Sequence, residues 1–473
     1  MKPTFPDRSR PTSERQASGQ ERRKVLSRVD LGGWKPARSR PAPSVLLQAT
    51  DRGRLPHLLR IKYDRMAASP FGFFRGAAPL MAWDLGHRPR TGIQVQLCGD
   101  AHVRNLGAFA AEDGHLVFDI NDFDETTPGP FEWDLCRLAA SFVLAAREAG
   151  DSDKSAKQAV RILASSYREG LLRFLRMPVL ALMRYEIRRH LEEGPIHEVL
   201  AKAERMTPRM SLEKLTVPDR KKKRRFVTQP PLITRVPSAI ARRVITSLLS
   251  YRGTVGPARR LVLDAYRPVD VAFKIVGTGS VGTRDYVVLL FGANEDDPLF
   301  LQVKESLASC YAPYLRSVRV PQHHGERVAE GQHRMQTLSD PFLGWTTVSG
   351  RPFIVRQLSD HKASLDPRAL RGGSLVEYAL VVGEIFAKAH ARTGDPAVLL
   401  GYLGRSDRFD DGLASFASAY ADQTEKDHAE FVTKIRPRLR RPVRKPAAGR
   451  SMAGGPPKSR KKDDSVSSAA ERV

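Results

Sequence analysis

Cysteine and long apolar runs are both scarce in this chain of 473 residues. The three cysteines, Cys98, Cys136 and Cys310, are too few and too scattered for a disulfide framework or a cysteine-rich zinc site, so we expect buried thiols. No window approaches the roughly 18 uncharged apolar residues of a membrane-spanning helix, so no membrane partner is expected. The sequence begins MKPTFPDRSRPTSERQ, without an apolar signal core, which favours a cytoplasmic location.

Acidic residues are outnumbered by basic ones, 52 to 78, and the formal net charge is +26. Residues 1–28 contribute a net +5 and residues 434–473 a net +10. Both ends are rich in Pro, Ser, Gly and Arg, so segments 1–45 and 434–473 are predicted to be disordered. A third basic cluster, RKKKRR at 220–225, lies in residues 216–260, which are predicted to form a basic linker and a connecting helix. The tails lack the interleaved aromatic residues of a base-stacking surface, so only weak contact with a polyanion or nucleic acid is expected.

Carboxylate and amide side chains are concentrated in residues 97–134, LCGDAHVRNLGAFAAEDGHLVFDINDFDETTPGPFEWD. Asp100 and Asn105 follow a predicted strand over residues 93–97, and a second acidic group follows a predicted strand over residues 116–120. Mg²⁺ prefers such oxygen ligands, takes one or two protein carboxylates and completes its shell with water and substrate phosphates. The segment therefore predicts a metal and phosphate site. The candidate metal ligands are Asn105, Asp122 and Asp124, with Asp119 as a competing carboxylate.

These motifs resemble a known superfamily. Gly99-Asp100-x-His102-x-x-Asn105 followed by Asp122-Phe123-Asp124 resembles the catalytic and metal-binding loops of the aminoglycoside and choline phosphotransferase branch of the protein-kinase-like superfamily. Asp134-Leu135 resembles that branch's later Asp-Leu-Ala, whose Asp braces the catalytic loop, whereas Cys98 replaces the branch's usual His. The longer sequence pattern, from SPFGFFRG to GPFEWDLCRLAAS, is similar to a bacterial family known only as domain of unknown function 2252. This similarity extends over about residues 55–430.

A glycine-rich segment lies between two predicted strands, residues 271–276 and 287–291, and a third strand over residues 299–303 leads into Lys304. This order resembles a kinase small lobe, in which the loop covers the nucleotide phosphates and the lysine contacts them. The alternative is an ordinary glycine-rich turn. The nucleotide-binding residues implied by the resemblance are Gly277, Gly279, Ser280, Gly282 and Lys304.

Later elements extend the resemblance. A predicted helix at residues 324–338 offers Glu330, or alternatively Glu326, as the partner of Lys304. A predicted strand at residues 353–358, which contains Gln357, takes the place of the hinge that meets adenine. A buried helix at residues 375–389 then ends in AHARTGD. Two upstream arginines, Arg65 and Arg75, either face the acidic site or a substrate phosphate, or lie on the surface with packed stems.

The order of these motifs is unusual, because the catalytic-like loop precedes the glycine loop by well over a hundred residues. We therefore expect an α+β, two-lobed, protein-kinase-like fold that is circularly permuted. Residues 46–215 and 361–433 would form the large lobe, and residues 261–360 the small lobe. In the rival interpretation His390-x-x-x-Gly394-Asp395 is the catalytic loop in conventional order, although Leu400 then replaces the metal-binding Asn. A structure that places Lys304 far from Asp122 would contradict the permutation.

The resemblance implies phosphoryl transfer from Mg-ATP to a hydroxyl acceptor that the sequence does not identify. Asp100 would accept or orient the hydroxyl proton, Asn105 and Asp122 would hold Mg²⁺, and Lys304 would place the donor phosphates. The alternatives are an inactive pseudokinase, a nucleic-acid-associated protein that uses its basic tails, and a metallophosphoesterase that uses Asp100-x-His102 as a metal pair.

Overall fold

The computed structural model describes residues 9–111, 113–187, 194–315, 319–358 and 362–434, which form a mixed α+β structure with several antiparallel sheets. Within these ranges no helix is long and apolar enough to cross a membrane. The helices are α1 (Thr12–Glu21), α2 (Arg28–Gly32), α3 (Pro43–Ala49), α4 (Pro56–Ala67), α5 (Pro70–Gly76), α6 (Ala78–Gly86), α7 (Glu132–Glu148), α8 (Asp153–Arg176), α9 (Val179–Met183), α10 (Gly194–Glu204), α11 (Pro208–Leu215), α12 (Ser238–Arg252), α13 (Pro257–Asp264), α14 (His324–Met335), α15 (Gly373–Thr393), α16 (Pro396–Leu403) and α17 (Arg408–Lys434). The strands are β1 (Gln94–Leu97), β2 (Leu106–Ala110), β3 (Leu116–Ile120), β4 (Thr127–Pro130), β5 (Thr216–Pro218), β6 (Arg224–Phe226), β7 (Ile233–Arg235), β8 (Arg267–Lys274), β9 (Asp285–Phe291), β10 (Pro298–Glu305), β11 (Gly344–Val348), β12 (Arg351–Gln357) and β13 (Ala363–Ser364).

The largest sheet has the strand order β11-β12-β10-β9-β8-β7, with every neighbouring pair antiparallel. The predicted strands correspond to β8, β9, β10 and β12, and the predicted helix after Lys304 corresponds to α14. Side chains alternate between the two faces of β9, so Val288 packs on one side and Val287 on the other. Helix α12 covers the first face, and α11 with the β5–β6 hairpin covers part of the second. Lys304 lies on this second face.

The remaining helices surround one apolar core. Helix α7 is buried along most of its length and packs against α8 and α17, while α8 packs against α15. Three short strands in the order β13-β2-β3 and the pair β1-β4 lie beside these helices. Residues that precede the strands of the large sheet in the sequence and residues that follow them both contribute to this core, which extends from Leu26 to Ala421. Residues 121–125, which follow β3 and are called the acidic segment below, therefore lie beside these helices and next to the second face of the large sheet.

The expected disorder of residues 1–45 is wrong for residues 9 to 45. Helix α1 packs closely against α16, where a Cβ on Gly19 would clash with the carbonyl oxygen of Val398. Arg23 donates to the carbonyl oxygen of Tyr402 (2.9 Å), which satisfies a group at the end of α16. Trp34 is buried in the main core. A few apolar anchors and arginine contacts with carbonyl groups thus order a segment whose composition alone indicates disorder.

Residues 216–260, predicted as a basic linker and a connecting helix, contain helix α12 and further elements beside it. These further elements are the β5–β6 hairpin, strand β7 and helix α13, which extends to Asp264. The basic cluster at residues 220–225 spans the hairpin turn, where Asp219 accepts hydrogen bonds from the backbone of Lys221 and Lys223. At the other end of the chain α17 runs to Lys434, and the predicted disorder of residues 435–473 concerns residues outside those described.

Candidate functional site

The loop after β1 is fixed by a carboxylate on α7. Asp134 is 1% exposed and accepts hydrogen bonds from the backbone N–H groups of Cys98 (2.8 Å) and Gly99 (3.0 Å). His390 lies behind it, with its Nε2 atom 3.5 Å from the Asp134 carboxylate. Asp134 therefore braces the loop after β1 through these two hydrogen bonds. A buried carboxylate that accepts two N–H donors holds the loop in one conformation.

Gly99 is required at its position for two reasons. Its φ of +87° lies in the left-handed region, and a Cβ there would sit 2.3 Å from the carbonyl oxygen of Glu125. The loop therefore packs directly against the acidic segment that follows β3. Beyond Gly99, the side-chain amide of Asn105 donates to the backbone carbonyl of Asp100 (2.6 Å), which makes its amide oxygen the candidate ligand atom.

Arg137 holds the candidate catalytic carboxylate. This arginine is fully buried on α7, and its Nε donates to Asp100 Oδ1 at 2.6 Å. Its guanidinium also donates to the carbonyl oxygen of Phe74 (3.0 Å) and stacks over the ring of that residue. Burial raises the pKa of Asp100, and the charge of Arg137 opposes this rise. The sequence interpretation missed Arg137, although an arginine one turn after Asp134 in an apolar helix is a usable signal.

Two carboxylates of the acidic segment meet the lysine of β10. Lys304 is 3% exposed, and its Nζ lies 2.5 Å from Asp124 Oδ2. Burial opposes ionisation of Asp122, but the charges of Lys304 and Arg356 outweigh it and lower the pKa of Asp122. Burial, followed by the charge of Asp122, raises the pKa of Asp124. Residues about 180 positions apart thus form one charged cluster, as the permutation hypothesis requires, since Lys304 is not far from Asp122.

The glycine segment closes the same cleft from above. Arg65 donates to the carbonyl oxygen of Gly277, and Arg54 donates to that of Val281 (2.6 Å). The backbone N–H of Leu55 donates to the carbonyl oxygen of Gly282 at 2.7 Å. The segment between α3 and α4, together with α4, therefore anchors the loop. The cleft is lined by the predicted residues Asp100, Asn105, Asp122, Asp124, Gly277, Gly279 and Ser280, together with Arg54, Arg75, His102 and Glu125.

Four predicted nucleotide contacts are not among the residues that line the cleft: Gly282, Lys304, Glu330 and Gln357. Lys304 meets the cleft through Asp124, and Gly282 accepts a hydrogen bond from Leu55. The expected pairing of Glu330 with Lys304 is wrong, because Glu330 pairs with Arg334 one turn later on α14. The face of α14 next to the acidic segment instead presents Arg327, which donates to the carbonyl oxygen of Asp124 (2.8 Å). Glu326, the alternative, is partly exposed at the start of α14.

Gln357 ends β12 and is not among the residues that line the cleft. Its backbone N–H donates to Asp340 (2.6 Å). Its predicted contact with adenine stays a prediction. The residue before it, Arg356, reaches the acidic segment and donates to the carbonyl oxygen of Asn121 at 3.0 Å.

The rival catalytic loop lies outside the cleft. Asp395 caps the start of α16 through the N–H of Ala397 (2.9 Å) and pairs with Arg15 at 2.7 Å. Of the competing carboxylates, Asp119 forms a buried ion pair with Lys388 and does not line the cleft. These contacts give Asp395 and Asp119 structural partners.

The oxygen ligands in the cleft suit Mg²⁺ that is bound partly by substrate phosphates, rather than a metal held entirely by protein side chains. Within the described ranges no group of three or more His, Cys, Asp or Glu side chains is placed to hold a metal. Asn105 and Asp122 supply an amide oxygen and an ionised carboxylate in one cleft, as Mg²⁺ needs when phosphates complete its shell. Asp124 is the weaker candidate because Lys304 holds its carboxylate. His102 is buried, and burial lowers its pKa well below the usual range.

Asp285, which pairs across the strands with Lys304, should make the free energy of unfolding depend on pH. It is 4% exposed beside Lys304, and burial raises its pKa to about 7. The folded protein therefore retains a proton that the unfolded chain has released, so the free energy of unfolding falls as pH rises toward 7. We expect the stability advantage of Asp285→Asn over the wild type to grow by about 2 kcal/mol between about pH 5 and pH 8. Urea unfolding at both pH values measures this.

The matched control is Asp64→Asn, which changes an aspartate that is 55% exposed. Its difference from the wild type should stay constant over the same pH range. Parallel pH profiles for Asp285→Asn and the wild type would contradict the buried, proton-binding state of Asp285.

One of three comparisons with known proteins shows the family of this chain. No curated protein and no solved structure matches the chain. A model of a bacterial family matches residues 54–434, a range that includes the catalytic-like loop, the acidic segment, the glycine segment and Lys304. This match covers most of the sequence, and the chain therefore belongs to the family described as an uncharacterized protein conserved in bacteria (DUF2252).

Proposed function

We propose that the protein is an ATP- and Mg²⁺-dependent phosphotransferase with a circularly permuted, two-lobed, kinase-like arrangement. One observation carries the proposal: Lys304 on β10 meets Asp124 at 2.5 Å, and Asp124 lines one cleft with the glycine segment, Asp100, Asn105 and Asp122. In protein kinases a glycine-rich loop covers the phosphates, a lysine from the third strand contacts them, and an Asp and an Asn hold the metal ions. The same residue types converge here from distant parts of the sequence.

The arrangement of the large sheet supports this proposal. The glycine segment joins β8 to β9, Lys304 lies near the end of β10, and α14 follows before β11 and β12. This is the order of parts in a kinase small lobe, with β10 in the place of the lysine-bearing third strand. One part differs, because α14 presents Arg327 rather than a glutamate to the acidic segment. Lys304 takes its carboxylate partner from that segment instead.

Each side chain then has a role in positioning or charge neutralisation. Asp100 accepts or orients the proton of the acceptor hydroxyl, and Arg137 fixes its carboxylate. Asn105 and Asp122 would hold Mg²⁺, which neutralises charge on the phosphates when bound. Lys304 and the backbone of residues 277–282 orient the donor phosphates. In the nucleotide-bound state Lys304 exchanges part of its contact with Asp124 for phosphate oxygens.

The acceptor is a hydroxyl compound of unknown identity, and a small molecule is favoured only by the resemblance to the aminoglycoside and choline branch. An inactive, nucleotide-binding relative of such enzymes is the second candidate. It is favoured by the loss of the usual helix glutamate opposite Lys304. The cytoplasmic location and a weak polyanion contact of the basic ends stay predictions.

Thermal melting with and without excess Mg-ATP tests nucleotide binding directly. Ligand at about 100 times its dissociation constant should stabilise the wild type by roughly 2.7 kcal/mol, and omission of Mg²⁺ should reduce the shift. Asp122→Ala should lose most of the Mg²⁺-dependent shift because it removes the ionised ligand of the cleft.

The control is Asp113→Ala, which removes an exposed carboxylate near the β2–β3 turn outside the cleft and should respond like the wild type. A wild type that responds to Mg-ATP but forms neither ADP nor phosphorylated product would favour the inactive relative. No response to any nucleotide would refute both candidates.

A further inference from the structure

Three arginines that precede the catalytic-like loop in the sequence, Arg54, Arg65 and Arg75, contact the glycine segment or lie beside it. They differ in what their guanidinium groups bind. Arg54 donates to the carbonyl oxygens of Thr50 (2.9 Å) and Val281 (2.6 Å). Arg65 donates to the carbonyl oxygen of Gly277. Both guanidinium groups are therefore used to hold the backbone. They have the role of anchors.

Arg75 is different, because its guanidinium has no comparable partner. It lies in the last turn of α5 and lines the cleft with Asp100 and Asp122. In the described part of the chain it forms no ion pair, and its Nε is buried without a hydrogen-bond partner. Burial, and next the charge of Arg104, lower the pKa of Arg75 to about 10, so the side chain stays cationic at neutral pH. A partly buried cation without a partner costs stability in the free protein.

The position of Arg75 identifies what would offset this cost. A Cβ on Gly279 would lie 3.3 Å from the carbonyl oxygen of Arg75, so α5 touches the middle of the glycine segment. Arg75 lines one cleft with the candidate base Asp100 and the candidate metal ligand Asp122, and the charges of both act on it. A phosphoryl group that passes from donor to acceptor would occupy this region. Its oxygens match the planar donor set of a guanidinium.

We propose that Arg75 binds the transferable terminal phosphoryl group and stabilises its charge during transfer. This inference rests on the proposed function and adds a residue from outside the motifs that resemble the kinase-like superfamily. Such an arginine supplied in cis neutralises charge that develops on the phosphoryl oxygens. The lysine on β10 and the glycine segment would hold the rest of the nucleotide. Arg75 would then distinguish a nucleoside triphosphate from a diphosphate.

Calorimetric titration of the full chain with Mg-ADP and with the Mg complex of the non-hydrolysable imido analogue of ATP tests this. Arg75→Gln should weaken binding of the triphosphate analogue by about 10- to 100-fold and change binding of Mg-ADP by less than about threefold. Arg75→Lys should recover part of the loss. The matched control is Arg65→Gln, which loosens the glycine segment and should weaken both ligands by similar factors.

Urea unfolding without ligand separates binding from a structural role. Because Arg75 is a partly buried cation without a partner, Arg75→Gln should unfold at the same or a higher urea concentration than the wild type. A lower midpoint would assign Arg75 a structural role and overturn the inference. Equal effects of Arg75→Gln on both nucleotides, or no effect on either, would also overturn it while the proposed function stands. A wild type that binds neither nucleotide would remove the proposed function and this inference together.

Discussion

Lys304→Met is expected to abolish the response to Mg-ATP and to destabilise the fold. The lysine is 3% exposed, its ammonium group contacts Asp124 at 2.5 Å, and, against the effect of burial, the charges of Asp122 and Asp124 raise its pKa. Removal of one partner from a buried ion pair leaves uncompensated charge and costs about 3–5 kcal/mol. Loss of a preorganised phosphate contact also lowers the rate of transfer by about 10²- to 10³-fold. Urea unfolding and the formation of ADP from Mg-ATP measure the two effects separately.

The chain contains a matched control for this variant. Lys388 is 2% exposed and pairs with Asp119, which does not line the cleft, whereas Asp124, the partner of Lys304, does. Lys388→Met should therefore cost a similar amount of stability and keep the response to Mg-ATP.

A second variant addresses loss of folding. Lys304→Met combined with Asp124→Asn removes both charges, and so should recover stability without recovering nucleotide binding. Retention of wild-type nucleotide binding in the double variant would contradict the role of Lys304.

Asp100→Asn is expected to reduce phosphoryl transfer by about 10²- to 10⁴-fold, the usual contribution of a positioned general base. The side chain faces the cleft and is fixed by Arg137 at 2.6 Å. Binding of Mg-ATP should persist, because in the proposed mechanism Asp100 acts on the acceptor hydroxyl rather than on the nucleotide. The formation of ADP with water as acceptor gives the rate, and the thermal shift gives the binding. Loss of both together would indicate a folding defect instead.

The pH dependence of the rate gives a sharper test of the same residue. A protonated carboxyl group cannot accept the acceptor's proton, so the rate falls as pH drops through the pKa of Asp100. Burial raises that pKa, and the acid limb should lie above the ordinary carboxyl range. Arg137→Gln removes the opposing positive charge and should move the limb to higher pH, whereas Arg137→Lys should move it less. An acid limb that Arg137→Gln leaves in place would assign the titration to another group.

The local features of the site could be predicted because they depend on short stretches of sequence. The strands before Asp100 and Asp122, the glycine segment between β8 and β9, and the position of Lys304 at the end of β10 all follow from apolar runs bounded by turn residues. The bracing role of Asp134 was predictable through the motif resemblance alone. These features require little knowledge of distant contacts.

The errors arose where the partner of a charged group is distant in the sequence. Composition indicates disorder near the N-terminus, but contacts such as that of Arg23 with Tyr402 order it across 379 positions. Spacing on α14 favoured Glu330 for Lys304, but the rotation of that helix directs Arg327 to the acidic segment. Helical periodicity indicates which residues share a face, but not which neighbour that face meets.

The sequence by itself determined the α+β composition of the chain, its principal strands and the residue types of the proposed phosphate and metal site. Only the tertiary structure decided that Lys304 meets Asp124, that Arg137 fixes Asp100, and that Arg75 lines the cleft without an ion pair in the described part of the chain. The physical reason is that secondary structure follows from local apolar patterns, whereas the burial and pairing of each charge depend on packing between segments more than a hundred residues apart.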